Sequence, residues 1–348
     1  MAAFSLTSCF PCLTARKKEV PRSAPANPHT SSVAGAVPRT FSFKELAAAT
    51  RNFSDGCRII GQGGGLYKGY IKSINQVVAL KLQHAVDPSG SPEQHNREFL
   101  AHALTMCGLR HPNVVDLIGF CADGHHRILV HEYMPGSLED HLHDLCPLKA
   151  PLDWITRMNI AAGVPRGLEY MHDKGVLYRR LRSSDILLGD GYHPKLSRYG
   201  LAVAEHDRLS EEADRAVTRR TRGAMAPETL MAGTVVPGST VYVFGAVLLE
   251  MITGRRAMDL TKDTLEDRHL VTWARTMLKD RSQFRRMADP ALQGRYPSLD
   301  LQEALEVASA CIRDGPSMRA PIGTVVTALS RLAYDVDPPE SPHCAPPN

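Results

Sequence analysis

The sequence predicts an α+β fold in two lobes, a small β-rich lobe followed by a larger helical one, and three observations predict it. Gln76–Leu82 (QVVALKL) is dense in β-branched residues and Arg127–Val130 adds a second short apolar run, so the strands gather in the first third of the chain. Asp153 is placed to cap a long helix whose apolar stripe, Ile160, Val164, Leu168 and Met171, recurs at steps of 4, 4 and 3 residues. Further helical segments are carried by Val241–Ile252, Leu270–Leu278 and Leu301–Cys311. Strands first and helices afterwards is the order of an α+β chain.

Taken along the chain, residues from about 19 to 40 are rich in Pro, Ser, Ala and Thr with almost no large apolar residue before Phe41, so 1–40 read as a flexible lead-in. Its basic residues Arg16, Lys17 and Lys18 follow the apolar stretch instead of preceding it, the wrong order for a secretory signal. The folded region is expected over 41–335, its first lobe at about 55–134 and its second at about 135–335, with a flexible tail over 336–348. Pro165 falls inside the long helix, where it removes one backbone hydrogen bond and is expected to kink the helix at a cost of about 3 kcal/mol. The longest apolar run, Val241–Leu249, is far below the roughly 20 residues that span a bilayer.

Composition narrows the function classes. The 348 residues are 43% hydrophobic, enough for sizeable cores, and 41 basic against 37 acidic side chains give a net charge of only +4. Charges so evenly mixed argue against a nucleic-acid partner. The eight cysteines lack the paired spacing of a zinc site and the density of a secreted disulfide scaffold, which fits reduced thiols in the cytoplasm.

The chemistry-bearing motifs come in a fixed order. The glycine cluster Gly61-Gln62-Gly63-Gly64-Gly65 precedes Val78-Ala79-Leu80-Lys81; then follow Glu132-Tyr133-Met134, Tyr178-Arg179-Arg180-Leu181, Arg198-Tyr199-Gly200 and Ala226-Pro227-Glu228. This is the order of nucleotide loop, lysine strand, hinge, catalytic loop, metal-binding turn and activation-segment end in protein kinases. The stretches FSFKELAAAT, NVVDLIGFCADG, MPGSLEDHLHDL, LDWITRMNIAAG and GDGYHPKLS resemble plant receptor-like cytoplasmic serine/threonine kinases of the immune-signalling type. The resemblance covers roughly 41–335 and implies the bilobal protein-kinase fold.

It also implies roles that can be compared residue by residue. In the pattern H-R-D-L-x-x-x-N the Asp accepts the substrate hydroxyl proton and the Asn holds a metal ion, whereas this chain has Arg180 and Asp185 at those positions. A guanidinium cannot act as a proton acceptor. Asp185, a carboxylate, remains a candidate cation ligand. Arg198 stands where the metal-bridging Asp of D-F-G belongs, bringing a positive charge in place of a ligand, and is expected either to contact phosphate or to pair with Asp185. The αC carboxylate that pairs with the lysine falls at His102, with Glu98 one turn earlier. The glycine loop is two residues short of G-x-G-x-x-G-x-V, which leaves Leu66 at the position of the adenine-covering Val. The brace of the catalytic loop falls at Thr240 and its support is expected to be gone, while Tyr178, Tyr199 and the structural pair Glu228–Arg319 are retained.

The candidate nucleotide contacts are therefore Gly61, Gly63, Gly64, Leu66, Ala79, Lys81, Glu132 and Met134, with no intact catalytic residue and Asp185 as the one metal candidate. Each has a plainer alternative. The glycines are otherwise a simple loop, Lys81 a structural lysine, and His102 a helix-face histidine, since no second His or carboxylate stands at a convincing metal spacing. The arginines would otherwise be a solvated basic face, but their motif register overrides that. Thr218 and Thr221, set among Arg215, Arg219, Arg220 and Arg222, are either phosphoacceptors for another kinase or part of an ordinary basic loop.

The resemblance, with the base and metal acids replaced, implies a catalytically inactive kinase: a scaffold, decoy or regulator for receptor kinases, active cytoplasmic kinases or microbial effectors. The alternative is a serine/threonine kinase with residual ATP binding through Lys81 and Asp185 and weak or unconventional phosphotransfer, with or without Mg²⁺. A third reading, a decaying gene product that folds poorly, is motivated by Pro165 and the short glycine loop. Ala2 and Ala3 exclude N-myristoylation, so membrane contact at the inner face of the plasma membrane would rest on palmitoylation of Cys9 or Cys12 beside the basic residues of an otherwise cytoplasmic protein.

Overall fold

A computed structural model describes residues 39–59, 65–83, 91–144, 150–178, 180–197 and 224–333. Its first lobe is a five-stranded sheet in the order β1-β4-β5-β3-β2, made of β1 (Arg39–Thr40), β2 (Leu66–Ile71), β3 (Gln76–Leu82), β4 (Leu117–Cys121) and β5 (Ile128–Glu132). The strands expected at Gln76–Leu82 and after Arg127 are central in it. Arg39 and Thr40, which composition assigns to the lead-in, already pair in parallel with Gly119 and Phe120.

The period of two along β3 sorts its side chains between two cores. Val78 and Leu80 face outwards, where Phe41 and Leu46 pack on them with Ile71, Ile128 and Val130. Leu46 comes from helix α1 (Phe43–Ala49), whose N-cap Ser42 accepts the Glu45 N–H. On the opposite face, helix α2 (Pro92–Cys107) brings Phe99, Ala103 and Met106 against Leu117, Phe120 and Leu129. Ser91 caps α2 and Pro92 stands in its first turn, where its missing N–H is no loss.

The second lobe is organised by the helix expected after Asp153. It spans Trp154–Asp173 (α4, after the short α3, Leu138–Leu142), and Asp153 Oδ1 accepts the Thr156 N–H at 2.8 Å. Ile160, Val164, Leu168 and Met171 are all buried. At roughly 1.5–3 kcal/mol for each large aliphatic side chain fully buried, that stripe outweighs the penalty of about 3 kcal/mol for Pro165, and the helix continues through it. Against α4 pack the nearly wholly buried helix at Pro237–Thr253 and the terminal helix at Ile322–Leu332, while Ser298–Cys311 covers the former.

One other face of α4 seats the small sheet that carries the candidate site: β6 (Gly136–Ser137), β7 (Ile186–Leu188) and β8 (Pro194–Leu196). A Cβ on Gly163 would lie 2.5 Å from Pro194 and 2.9 Å from Asn113, and one on Gly167 would lie 2.7 Å from the Asn113 carbonyl and 2.8 Å from Leu196. Glycine in a helix interior costs up to about 1 kcal/mol relative to alanine, and here close approach explains it. The seated segment is then fixed by Leu196 N–H donating to Asn113 and Val115 N–H donating to Leu196, at 2.8 and 3.0 Å. Gly167→Val should overpack this contact and lower stability by about 1–3 kcal/mol, read as a reduced urea midpoint; an unchanged midpoint would contradict the seating.

Candidate functional site

The nucleotide contacts expected on the first lobe fall on the inward face of its sheet. In the antiparallel ladder Leu66 stands opposite Lys81, Lys81 opposite Leu129, and Ala79 opposite His131, so these five share the face towards α2. Leu66 and Ala79 are buried and Lys81 is half-buried, with burial lowering the pKa of its ammonium. His102 lies on α2 three residues after Phe99, half-buried, with no hydrogen-bond partner for Nε2 among the described residues. Burial lowers its pKa from 6.5, which favours the neutral imidazole at pH 7. A neutral ring cannot replace a carboxylate as the partner of a lysine. Glu98 accepts a hydrogen bond from Gln94 Nε2 at 2.9 Å along the helix.

The chain crosses between lobes at Glu132–Met134. The Glu132 carboxylate accepts Lys195 Nζ at 2.7 and 2.9 Å and the Asp116 N–H at 2.8 Å, which ties β5 to β8. The Glu132 carboxylate is thereby engaged in a clamp between the two lobes. Met134 packs with Val115 and Leu187 in a small buried cluster under the crossing. Lys68 Nζ stands 4.3 Å from the centre of the Tyr133 ring and covers the same crossing from β2.

The expected catalytic-loop positions lie on the loop leading into β7. Tyr178 is buried and its hydroxyl donates to the Ser197 carbonyl, while the Ser197 N–H donates to the Asp185 carbonyl at 2.8 Å, so the two motif segments are stitched together. Arg180 is half-buried on this loop. Asp185 is buried at the end of a single 3₁₀ turn (Ser183–Asp185) and is already engaged. Its Oδ2 accepts the Arg182 backbone N–H at 3.0 Å and Nε at 3.1 Å, and its Oδ1 accepts Nη2 at 3.0 Å. Arg182 thus closes on Asp185 as a planar fork, while Arg198, the other partner expected for this carboxylate, lies outside the described residues. The Asp185 charge raises the Arg182 pKa above its usual value despite burial.

Behind the loop, Thr240 Oγ1 donates to the Tyr178 carbonyl at 3.4 Å. Support at that position is therefore weakened to one long hydrogen bond and not absent as expected, because a threonine hydroxyl still reaches a carbonyl. Farther off, Arg319 grips Glu228 with Nη1 to Oε1 at 2.7 Å and Nη2 to Oε2 at 2.9 Å, the pairing expected from the motif.

The structure thus places Leu66, Ala79 and Lys81 on the inward face of the first sheet, Met134 at the crossing between lobes, Arg180 and Asp185 on the loop leading into β7, and the paired Glu228 and Arg319 in the second lobe. Gly61, Gly63, Gly64, Arg198, Thr218, Thr221, Cys9 and Cys12 lie outside the described residues. Two contacts had no place among the sequence expectations. Arg182–Asp185 could have been suspected from its three-residue spacing; Glu132–Lys195, 63 residues apart, leaves no such trace.

A sequence profile described as protein tyrosine and serine/threonine kinase matches residues 58–329. The chain is 51% identical over 337 residues to serine/threonine-protein kinase PBL27 of Arabidopsis thaliana, covering 94% of this chain and 62% of that protein. It is 53% identical over 307 residues to the probable serine/threonine-protein kinase PBL7 of the same plant, covering 85% and 78%, and 50% identical over 304 residues to serine/threonine-protein kinase PBS1, covering 84% and 64%. It therefore spans less than two thirds of the length of PBL27 and of PBS1.

Burial alone would raise the Glu228 pKa, but hydrogen bonds from Arg319, Ser239 and the backbone, with the Arg319 charge, outweigh it and hold the carboxyl at about 2 against an ordinary 4.5. A depressed folded-state pKa means that the pair stabilises the fold above pH 4.5 and that this contribution is lost as pH falls towards 2. Melting profiles should show Glu228→Gln below the parent at pH 7 and the two converging towards pH 2; parallel profiles would refute the pairing as a source of acid sensitivity.

Proposed function

The chain belongs to the protein tyrosine and serine/threonine kinase family, and from that premise we propose that it is a catalytically silent member that works by binding other proteins. The observation that carries this reading is Arg180 at the position of the proton-accepting Asp. Loss of a general base alone lowers a rate roughly 10²–10⁴-fold, and no environment lets a guanidinium take its role. The engagement of Asp185 by Arg182 and the neutral His102 on α2 support the same reading. The retained packing, from Tyr178 to the Glu228–Arg319 pair, supports a kinase-shaped surface kept for recognition.

On this reading the kinase-like domain covers 41–335. It acts in the cytoplasm as a scaffold, decoy or regulator beside receptor kinases, active cytoplasmic kinases or microbial effectors, in the manner of receptor-like cytoplasmic kinases. Thr218 and Thr221, among four arginines, would receive phosphate from such a kinase, and Cys9 or Cys12 would supply membrane contact through palmitoylation.

A second reading is favoured by the relatives themselves. PBL27 and PBS1 are named serine/threonine-protein kinases, and half or more of the aligned positions are identical. With Lys81 in place, the chain would then be a kinase of weak or unconventional activity. Purified full-length chain incubated with labelled ATP and either Mg²⁺ or Mn²⁺ separates the two. The silent reading expects no incorporation above the Lys81→Met variant, in protein that melts cooperatively. Incorporation that Lys81→Met abolishes would establish the second reading and end the first.

A further inference from the structure

In this family a divalent cation is implied beside Asp185, so the donor set can be tested for fit. Mg²⁺ and Ca²⁺ need several oxygen ligands with free lone pairs at about 2.0–2.6 Å. Asp185 is buried, and three N–H groups of Arg182 already occupy its two oxygens at 3.0 to 3.1 Å. The closure is local: the Asp185 N–H donates to the Arg182 carbonyl at 2.9 Å, so one turn presents guanidinium and carboxylate to each other. A cation would have to displace a charged fork whose own backbone holds it in place, and it would be repelled by that fork on approach. Nor does any group of three His, Cys, Asp or Glu side chains suited to a metal come together among the described residues. The residues do not fit the ion.

We propose that Arg182 stands in for the divalent cation at Asp185, closing that carboxylate to metal and making the chain's response to a nucleoside triphosphate indifferent to Mg²⁺. The inference rests on reading the cleft between Lys81 and Asp185 as the family's nucleotide site. It differs from the loss of the base at Arg180, because a chain could lack the base and still bind metal and nucleotide together.

Two titrations of the full chain test it. Mn²⁺, followed by electron paramagnetic resonance, should find no site in the parent that Asp185→Asn removes. Arg182→Gln should open such a site, and the double variant with Asp185→Asn should close it again. ATP, followed by calorimetry in Mg²⁺ or in EDTA, should give parent isotherms that agree within about twofold in affinity or are equally flat, while Arg182→Gln should gain at least about tenfold from Mg²⁺. A parent Mn²⁺ site lost in Asp185→Asn, or a parent that binds ATP tenfold or more tightly with Mg²⁺, overturns the proposal. So does a folded Arg182→Gln that gains no Mn²⁺. Should Arg182→Gln fail to fold, the parent and Asp185→Asn decide alone. The silent-site reading fails separately, by phosphate incorporation, whatever the metal titrations give.

Discussion

The candidate site depends on one close approach, that of helix α4 to the segment at 113–115 and to β8. Gly163 and Gly167 leave room for the Asn113 backbone and for Pro194 and Leu196 to lie directly on the helix. Because interiors are close-packed, a seating this tight transmits position: wherever α4 goes, the β7–β8 hairpin goes with it. The buried stripe from Ile160 to Met171 locks α4 into the second lobe from another side. Lys195, on β8, then reaches up to Glu132 and fixes the first lobe to the second. Helix, hairpin and crossing form one chain of contacts.

Upon that frame the polar groups of the loop leading into β7 are paired with one another. Tyr178 still joins the loop to Ser197, and Thr240 still touches the loop from behind. Asp185 still lies buried at the end of its turn, with its charge answered by Arg182. A buried carboxylate without a partner is strongly unfavourable, and the Arg182 guanidinium supplies the opposite charge here. A frame held by apolar packing tolerates such pairing, because none of the residues that seat the hairpin takes part in it.

What could be read in advance follows from what kind of signal each feature leaves. The strand at Gln76–Leu82 and the helices at Trp154–Asp173 and Ser298–Cys311 rest on periods of two and of 3.6, which any window of the sequence displays. The pairing of Glu228 with Arg319 was readable only through the motif that the resemblance supplied, since 91 residues separate them. The Glu132–Lys195 pair left no trace in the sequence, since 63 residues separate its partners and Lys195 carries no mark of its destination.

The sequence by itself determined the α+β order of elements, the faces they bury, and the presence of an arginine at position 180. These are one-dimensional properties: backbone geometry sets the period, and residue identity sets whether a side chain can accept a proton. Only the tertiary structure decided which cation meets Asp185, which carboxylate meets Lys195, and whether Thr240 still touches the loop. Several side chains were eligible for each contact, and the choice among them turns on separations of about 3 Å that no spacing along the chain specifies.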